Sequence, residues 1–264
     1  MKPIALPPAS ADPLEFLCRA DARGLLIGPD ESFADFAGRL ARLQRELPEN
    51  LPAGLPEVSA SVREGAERIT EARYGFRADW LPAYYSTAET GRFSAGVSVI
   101  LEDFLPLVYL SGAFQTRSCH HGYGAEETLA HESVHAARIA FPDPSAYEEY
   151  FPCQVHASGF RRWAGNLFRR WWIAAIFLIG LTFAALNFLL LGAPLLILLL
   201  EWRLRRRIRR AGERLRELGL REDPVLLRLS DGEIRVLASG GLPRCLTEES
   251  SLRRRLFFRR FALH

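Results

Sequence analysis

Thirty consecutive positions, Trp171 to Leu200, carry no charged side chain and only two polar ones, Thr182 and Asn187. Such a run exceeds the ~20 residues with which a helix crosses a hydrocarbon core, so the sequence predicts a membrane segment here. As a continuous helix it would reach ~45 Å, too long for one upright span and too short for two ordinary ones. Arg161, Arg162, Arg169 and Arg170 precede it, and Arg203, Arg205, Arg206, Arg207, Arg209 and Arg210 follow. Basic flanks on both sides favour two crossings, a hairpin turning between Asn187 and Pro194 with both ends cytoplasmic. The alternative is one tilted span kinked near Gly192 and Pro194. Trp171, Trp172 and Trp202 suit the interface at either end.

The net charge of +3 is small, and Lys2 is the only lysine, so the positive charge is almost wholly arginine. Arginine clusters bind phosphate, yet these abut the most apolar part of the chain and no nucleic-acid motif accompanies them, which argues for anionic lipid over nucleic acid. Cys18, Cys119, Cys153 and Cys245 are scattered without a CxxC pair, as free thiols in a reducing compartment would be. From Met1 to Ala20 no apolar core follows a basic start, and Pro3, Pro7, Pro8 and Pro13 interrupt the stretch, so no cleaved signal peptide is expected. The expected location is therefore a membrane, the bacterial inner membrane, with the domain ahead of the span on the cytoplasmic side.

Ahead of the span the pattern is helical from Pro13 to Ala22, from Ser32 through Phe33, Phe36, Leu40 and Leu43, and from Val58 to Tyr74. An aromatic, turn-rich stretch from Trp80 to Gly91 follows. Ser94–Leu101 and Leu105–Leu110 read as two short strands joined by Glu102, Asp103 and Phe104. Ala125–Ile139 reads as a helix ended by Pro142 and Pro144, and a second helix carrying Tyr147 to Phe151 starts after Asp143 as cap with Pro144 at its first position. Behind the span, Glu213–Leu218 and a capping box at Ser230-Asp231-Gly232-Glu233 predict a short helical tail.

The Ala125–Ile139 helix carries His131-Glu132-Ser133-Val134-His135, an HExxH motif. Two histidines four residues apart share one helical face and can grip one metal ion, while Glu132 is offset towards a metal-bound water. Zinc lowers the pKa of that water towards ~7 and the glutamate takes its proton. Leu129, Ala130, Ser133, Val134, Ala136 and Ala137 are uncharged, as a helix buried beneath a cleft requires; a surface helix with two solvated histidines is the plain alternative.

With these flanks the motif resembles the zinc peptidases. Arg138 stands where the metzincin pattern needs its glycine, so that branch does not fit. The chain instead resembles the gluzincins, over about Ser94 to Gln154. That resemblance implies a third zinc ligand, a glutamate on a following helix, for which Glu148 and Glu149 are the candidates. Gluzincins often place a small residue three positions after that ligand, and counting so favours Glu149, followed by Pro152, over Glu148, followed by Phe151. Pro152 and Cys153 depart from the usual residues, which leaves the two glutamates open; Asp143 reads better as a cap than as a ligand. The resemblance also implies an edge strand that pairs with an extended peptide, with Leu105–Leu110 as candidate. Tyr123, Tyr147, Tyr150 and His156 are candidate partners for the transition-state oxyanion. Cys119-His120-His121 reads as a polar loop rather than a second metal site, and Cys153 as a packing residue rather than an inhibitory thiolate.

Together these readings predict an α+β chain in four parts: a helical region 1–57, a compact zincin-like domain 58–165, a transmembrane hairpin or kinked span 166–202, and a basic cytoplasmic helical tail 203–264. The expected activity is a membrane-anchored peptidase using Zn2+ on His131, His135 and Glu149 with Glu132 as general base. Its expected partners are a peptide or membrane-associated protein substrate and the lipid bilayer, with no nucleic acid. A scaffold that keeps the zincin fold without catalysis is the rival.

Overall fold

The computed structural model describes residues 12–91, 94–102, 104–141, 146–167, 171–184 and 188–263. Asp143 with Pro142 and Pro144, Asp103, Asn187, Arg169, Arg170 and the prolines at 3, 7 and 8 lie outside them. The chain is α+β and mostly helical, with a small sheet.

Three helices open it: α1 (Pro13–Ala22), α2 (Phe33–Glu46) and α3 (Ala60–Tyr74). Their ends follow local chemistry. Asp12 and Ser32 accept backbone N–H groups at the starts of α1 and α2, and Gly75 closes α3 in the left-handed conformation. Strand β1 (Ala83–Tyr85), the single turn α4 (Thr87–Thr90), and strands β2 (Gly96–Leu101) and β3 (Leu105–Leu110) follow. They make a sheet of order β1-β3-β2, with β1 parallel and β2 antiparallel to β3.

Sheet order corrects one expectation. Every residue of β3 is buried, and the strand is paired on both sides, so it cannot offer an edge to a substrate. The segment 56–58 covers the outer side of β1, through bonds from Val58 N to Ala83 O and from Tyr85 N to Pro56 O. β2 is the edge strand that faces the cleft described below.

A two-residue hairpin, β4 (Cys119–His120) with β5 (Tyr123–Gly124), leads into α5 (Ala125–Ala137), which lies across β2, β3 and α3. After α5 come α6 (Tyr150–Cys153) and α7 (Gly159–Leu167). The helix expected to carry Tyr147 to Phe151 is thus a single turn starting at Tyr150, and 146–149 form turns that Tyr147, buried in the core, pins in place.

The expected transmembrane segment is not found: among the described residues no helix is long and apolar enough to cross a membrane. The apolar run is divided. α8 (Trp171–Phe183) has 13 residues, about 20 Å at the helical rise, and a 3-10 turn at Phe188–Leu191 separates it from α9 (Gly192–Glu217). α9 is apolar only as far as Leu200; from Glu201 it is charged, and its second half is packed on the protein by Ile208, Ala211 and Leu215. Neither arm approaches the ~20 apolar residues of a span. The two helices pack on one another and leave Ile176, Leu178, Ile179, Leu195, Leu196 and Leu199 exposed.

The remaining helices are α10 (Glu222–Leu227), α11 (Asp231–Ala238), α12 (Arg244–Thr247) and α13 (Leu252–Phe261). The Ser230–Glu233 capping box is formed in both directions at the start of α11. These residues do not trail away from the rest. Leu220, Val225, Leu227, Leu229, Ile234, Phe257 and Phe261 belong to the same buried core as Leu17, Phe36, Tyr74 and Phe151. Arg228, on the loop after α10, pairs with Asp21 of α1, both carboxylate oxygens accepting at 2.6 and 2.9 Å.

Candidate metal centre

α5 places Glu127, His131 and His135 at successive turns of one face, and the apolar opposite side, with Ala130 and Val134, is sealed in the core. Its approach to the sheet is close. A Cβ at Gly96 would lie 2.6 Å from Thr128 Cγ2 and 3.3 Å from Glu132 Cγ, so only glycine lets the start of β2 run against the helix at this level. Between β2, α5, α6 and α7 lies a cleft of about 520 Å³, walled by Ser94 to Ser98 on one side and by His131, Glu132, His135 and Glu149 on the other.

The sequence candidates come together as follows. His131 Nε2 is 3.5 Å from one carboxylate oxygen of Glu149, and His135 Nε2 is 3.6 Å from the other. Glu148 is exposed and lines the rim of the cleft without approaching either histidine among the described ion pairs. Glu132 is buried and lines the cleft beside the histidines. The separations are informative. They exceed a strong charge-assisted N–H···O bond of about 2.7–2.9 Å. They match the spacing of donors around a tetrahedral zinc, about 3.4 Å for bonds near 2.1 Å. Two imidazole nitrogens aimed at a carboxylate at that spacing fit a zinc ion between them.

Electrostatics agree with the geometry. Burial pushes the Glu149 carboxyl up, but the two imidazoles outweigh it and hold the group well below the usual carboxylate range. Burial alone would lower His135; the Glu149 carboxylate facing its Nε2 and the charge of Glu132 raise it instead. His131 Nδ1 is buried without a hydrogen-bond partner among the described residues. The ligand atoms that lie mutually within 4.8 Å are those of His131, Glu149 and Cys153, with His135 facing the other oxygen of Glu149; these donor types suit zinc among other metals.

Of the four candidates for an oxyanion partner, Tyr123 and His156 line the cleft. Tyr147 is buried in the core, and Tyr150 packs edge-on against Phe151. The His156 ring lies 5.4 Å from that of His131 and is tied through Nδ1 to Glu127 at 3.4 Å. Burial, then the neighbouring His131, lowers its pKa, against the pull of Glu127. Cys119, His120 and His121 form the β4–β5 turn, where His120 packs on Phe114 and His121.

Sequence reasoning missed Glu127 and Arg161. Glu127 accepts from Ala157 N at 3.0 Å and from Arg161 Nη1 at 3.3 Å as well as facing His156, and so it fixes the turn between α6 and α7. The i, i+4, i+8 spacing of Glu127, His131 and His135 was a signal available in the sequence. Arg161 carried none. It belongs to a basic cluster beside the apolar run, yet its guanidinium sits 4.6 Å from the Tyr123 ring and lines the cleft.

Comparison with protein-family models, with curated proteins and with solved structures returned no match to this chain.

Proposed function

We propose that the chain is a zinc-dependent peptidase, with His131, His135 and Glu149 holding the ion and Glu132 as general base. One observation carries the reading: two histidines one helical turn apart direct Nε2 at the two oxygens of a single carboxylate, at 3.5 and 3.6 Å, inside a cleft. Zinc bound there would supply an acidified water and a Lewis acid for a carbonyl oxygen. Glu132, buried at the cleft floor, accepts the proton of the attacking water and returns it to the leaving amine. Tyr123 lines the cleft and is placed to donate to the oxygen that gains charge; His156 donates there only in its protonated form, because its Nδ1 already faces the Glu127 carboxylate. A peptide fits as an extended strand against the free edge of β2, whose backbone supplies main-chain hydrogen bonds and little side-chain discrimination.

A second reading, a scaffold with a closed and silent zinc site, is favoured by one feature, the thiol of Cys153 next to the ligands. Zinc analysis together with peptide hydrolysis separates the readings. Purified protein is expected to carry near one zinc per chain, lost in His131→Ala and Glu149→Ala and kept in Glu148→Ala. Glu132→Gln is expected to keep the zinc and lose about 10²–10⁴-fold in kcat. Wild type without zinc would overturn both readings; zinc bound with no hydrolysis of any peptide would leave the scaffold.

A further inference from the structure

We propose that Cys153 is a fourth ligand to the same ion, occupying the coordination position that water needs, so that the chain rests in a closed form and opens by releasing the sulfur. The inference rests on the zinc reading above.

Four observations on residues of this chain support it. The ligand atoms of His131, Glu149 and Cys153 all lie within 4.8 Å of one another. Cys153 N donates to Glu149 O at 3.1 Å, closing one helical turn that puts the two side chains on the same face. The sulfur has a prepared place: a Cβ at Gly165 of α7 would stand 2.4 Å from Sγ, and glycine there leaves the space open. Finally, Cys153 is buried and forms no disulfide, yet it stands outside the contiguous apolar core in which a buried cysteine usually packs.

The spacing bears on gating as well as on ligation. Donors around a closed tetrahedral site stand about 3.5 Å apart, so His131, Glu149 and Cys153, with ligand atoms within 4.8 Å of one another, need only small side-chain movements to close on an ion. When the ion binds, the thiol gives its proton to solvent and the thiolate donates a lone pair to the metal. On opening, a water takes that position and the sulfur takes back a proton. No electrons change hands, and a catalytic site with three protein ligands and a water results.

Cobalt(II) tests this with a readout independent of catalysis. Cobalt-loaded wild type is expected to show near-ultraviolet thiolate-to-cobalt absorption, lost in Cys153→Ala and kept in Cys119→Ala. Cys153→Ala is further expected to bind zinc about 10-fold or more weakly and, when saturated with zinc, to cleave peptide several-fold faster. X-ray absorption of zinc-loaded wild type needs no variant, and should place one sulfur at about 2.3 Å from the metal. Cobalt bound without thiolate absorption, or a first shell free of sulfur, overturns the fourth ligand and leaves the peptidase reading standing. Thiolate absorption with no gain of activity in Cys153→Ala overturns the gating. Failure to bind any metal overturns both.

Discussion

His135 and Glu149 hold each other in their charged forms, and that coupling sets how the site responds to pH. The folded-state pKa of His135 lies above its ordinary value of about 6.5. A proton therefore stabilises the metal-free fold, an effect fully present below about pH 6.5 and lost as pH rises through the raised pKa. Zinc bound at the proposed site would compete with that proton, because it takes only the neutral imidazole. Apparent zinc affinity is thus expected to weaken as pH falls, beginning on the alkaline side of 6.5, and titration with a competing chelator between about pH 6 and 8 measures it. Glu149→Gln removes the charge that raises His135, so residual affinity in that variant should depend less steeply on pH over the same range. An unchanged slope would detach Glu149 from the histidines.

At the scale of elements, the cleft depends on how close β2 runs to α5. Gly96→Val puts branched carbons where Thr128 and Glu132 already stand, and is expected to destabilise the fold by about 1–3 kcal/mol and to cut activity more than stability predicts. Thermal melting beside kcat/KM separates the two effects; equal losses would mean that the strand does not position substrate. Glu127 acts between elements, joining α5 to the α6–α7 turn through Ala157, His156 and Arg161. Glu127→Gln should keep zinc while lowering kcat/KM about tenfold, through His156 rather than through the ligands. Zinc loss in this variant would instead make the turn part of the metal's own support.

Across the whole molecule, the two ends of the chain are joined at Asp21. Arg228 is buried, donates to both oxygens of Asp21 and to the Tyr74 and Pro224 carbonyls, and burial lowers its pKa to about 9. Arg228→Ala leaves Asp21 paired with Arg260 but removes the bonds to Asp21 and to the two carbonyls, so it is expected to cost about 1.5–3 kcal/mol in denaturant unfolding. Arg138, at the C-terminal end of the HExxH helix, donates to the Leu227 and Leu229 carbonyls, which ties that helix to the C-terminal segment. Residues 218–263 are thus structural support for the cleft, and a chain ended after Glu217 is expected to lose cooperative unfolding and zinc together.

Part of the candidate metal centre was legible beforehand. A helical period of 3.6 puts residues four apart on one face, so His131, Glu132 and His135 could be placed without knowing what α5 packs on. Glu149 followed only from the resemblance to gluzincins, because nothing in the sequence between Arg138 and Tyr150 says where the chain turns back. β1 has three residues in an aromatic, turn-rich stretch and shows no strand period. Without it β3 could pass for an edge; with it β3 becomes the centre and β2 the edge. The apolar run misled because hydropathy adds along the chain whatever the backbone does, while crossing a bilayer needs one unbroken helix. The burial of Arg228 carried no signal in the sequence, because it is the carboxylate of Asp21, distant along the chain, that makes it tolerable. Local periodicity and residue chemistry are properties of the sequence itself. Which edge stays open, which charge finds a partner and whether Cys153 meets the ligands depend on contacts between distant segments, and those the tertiary structure alone decided.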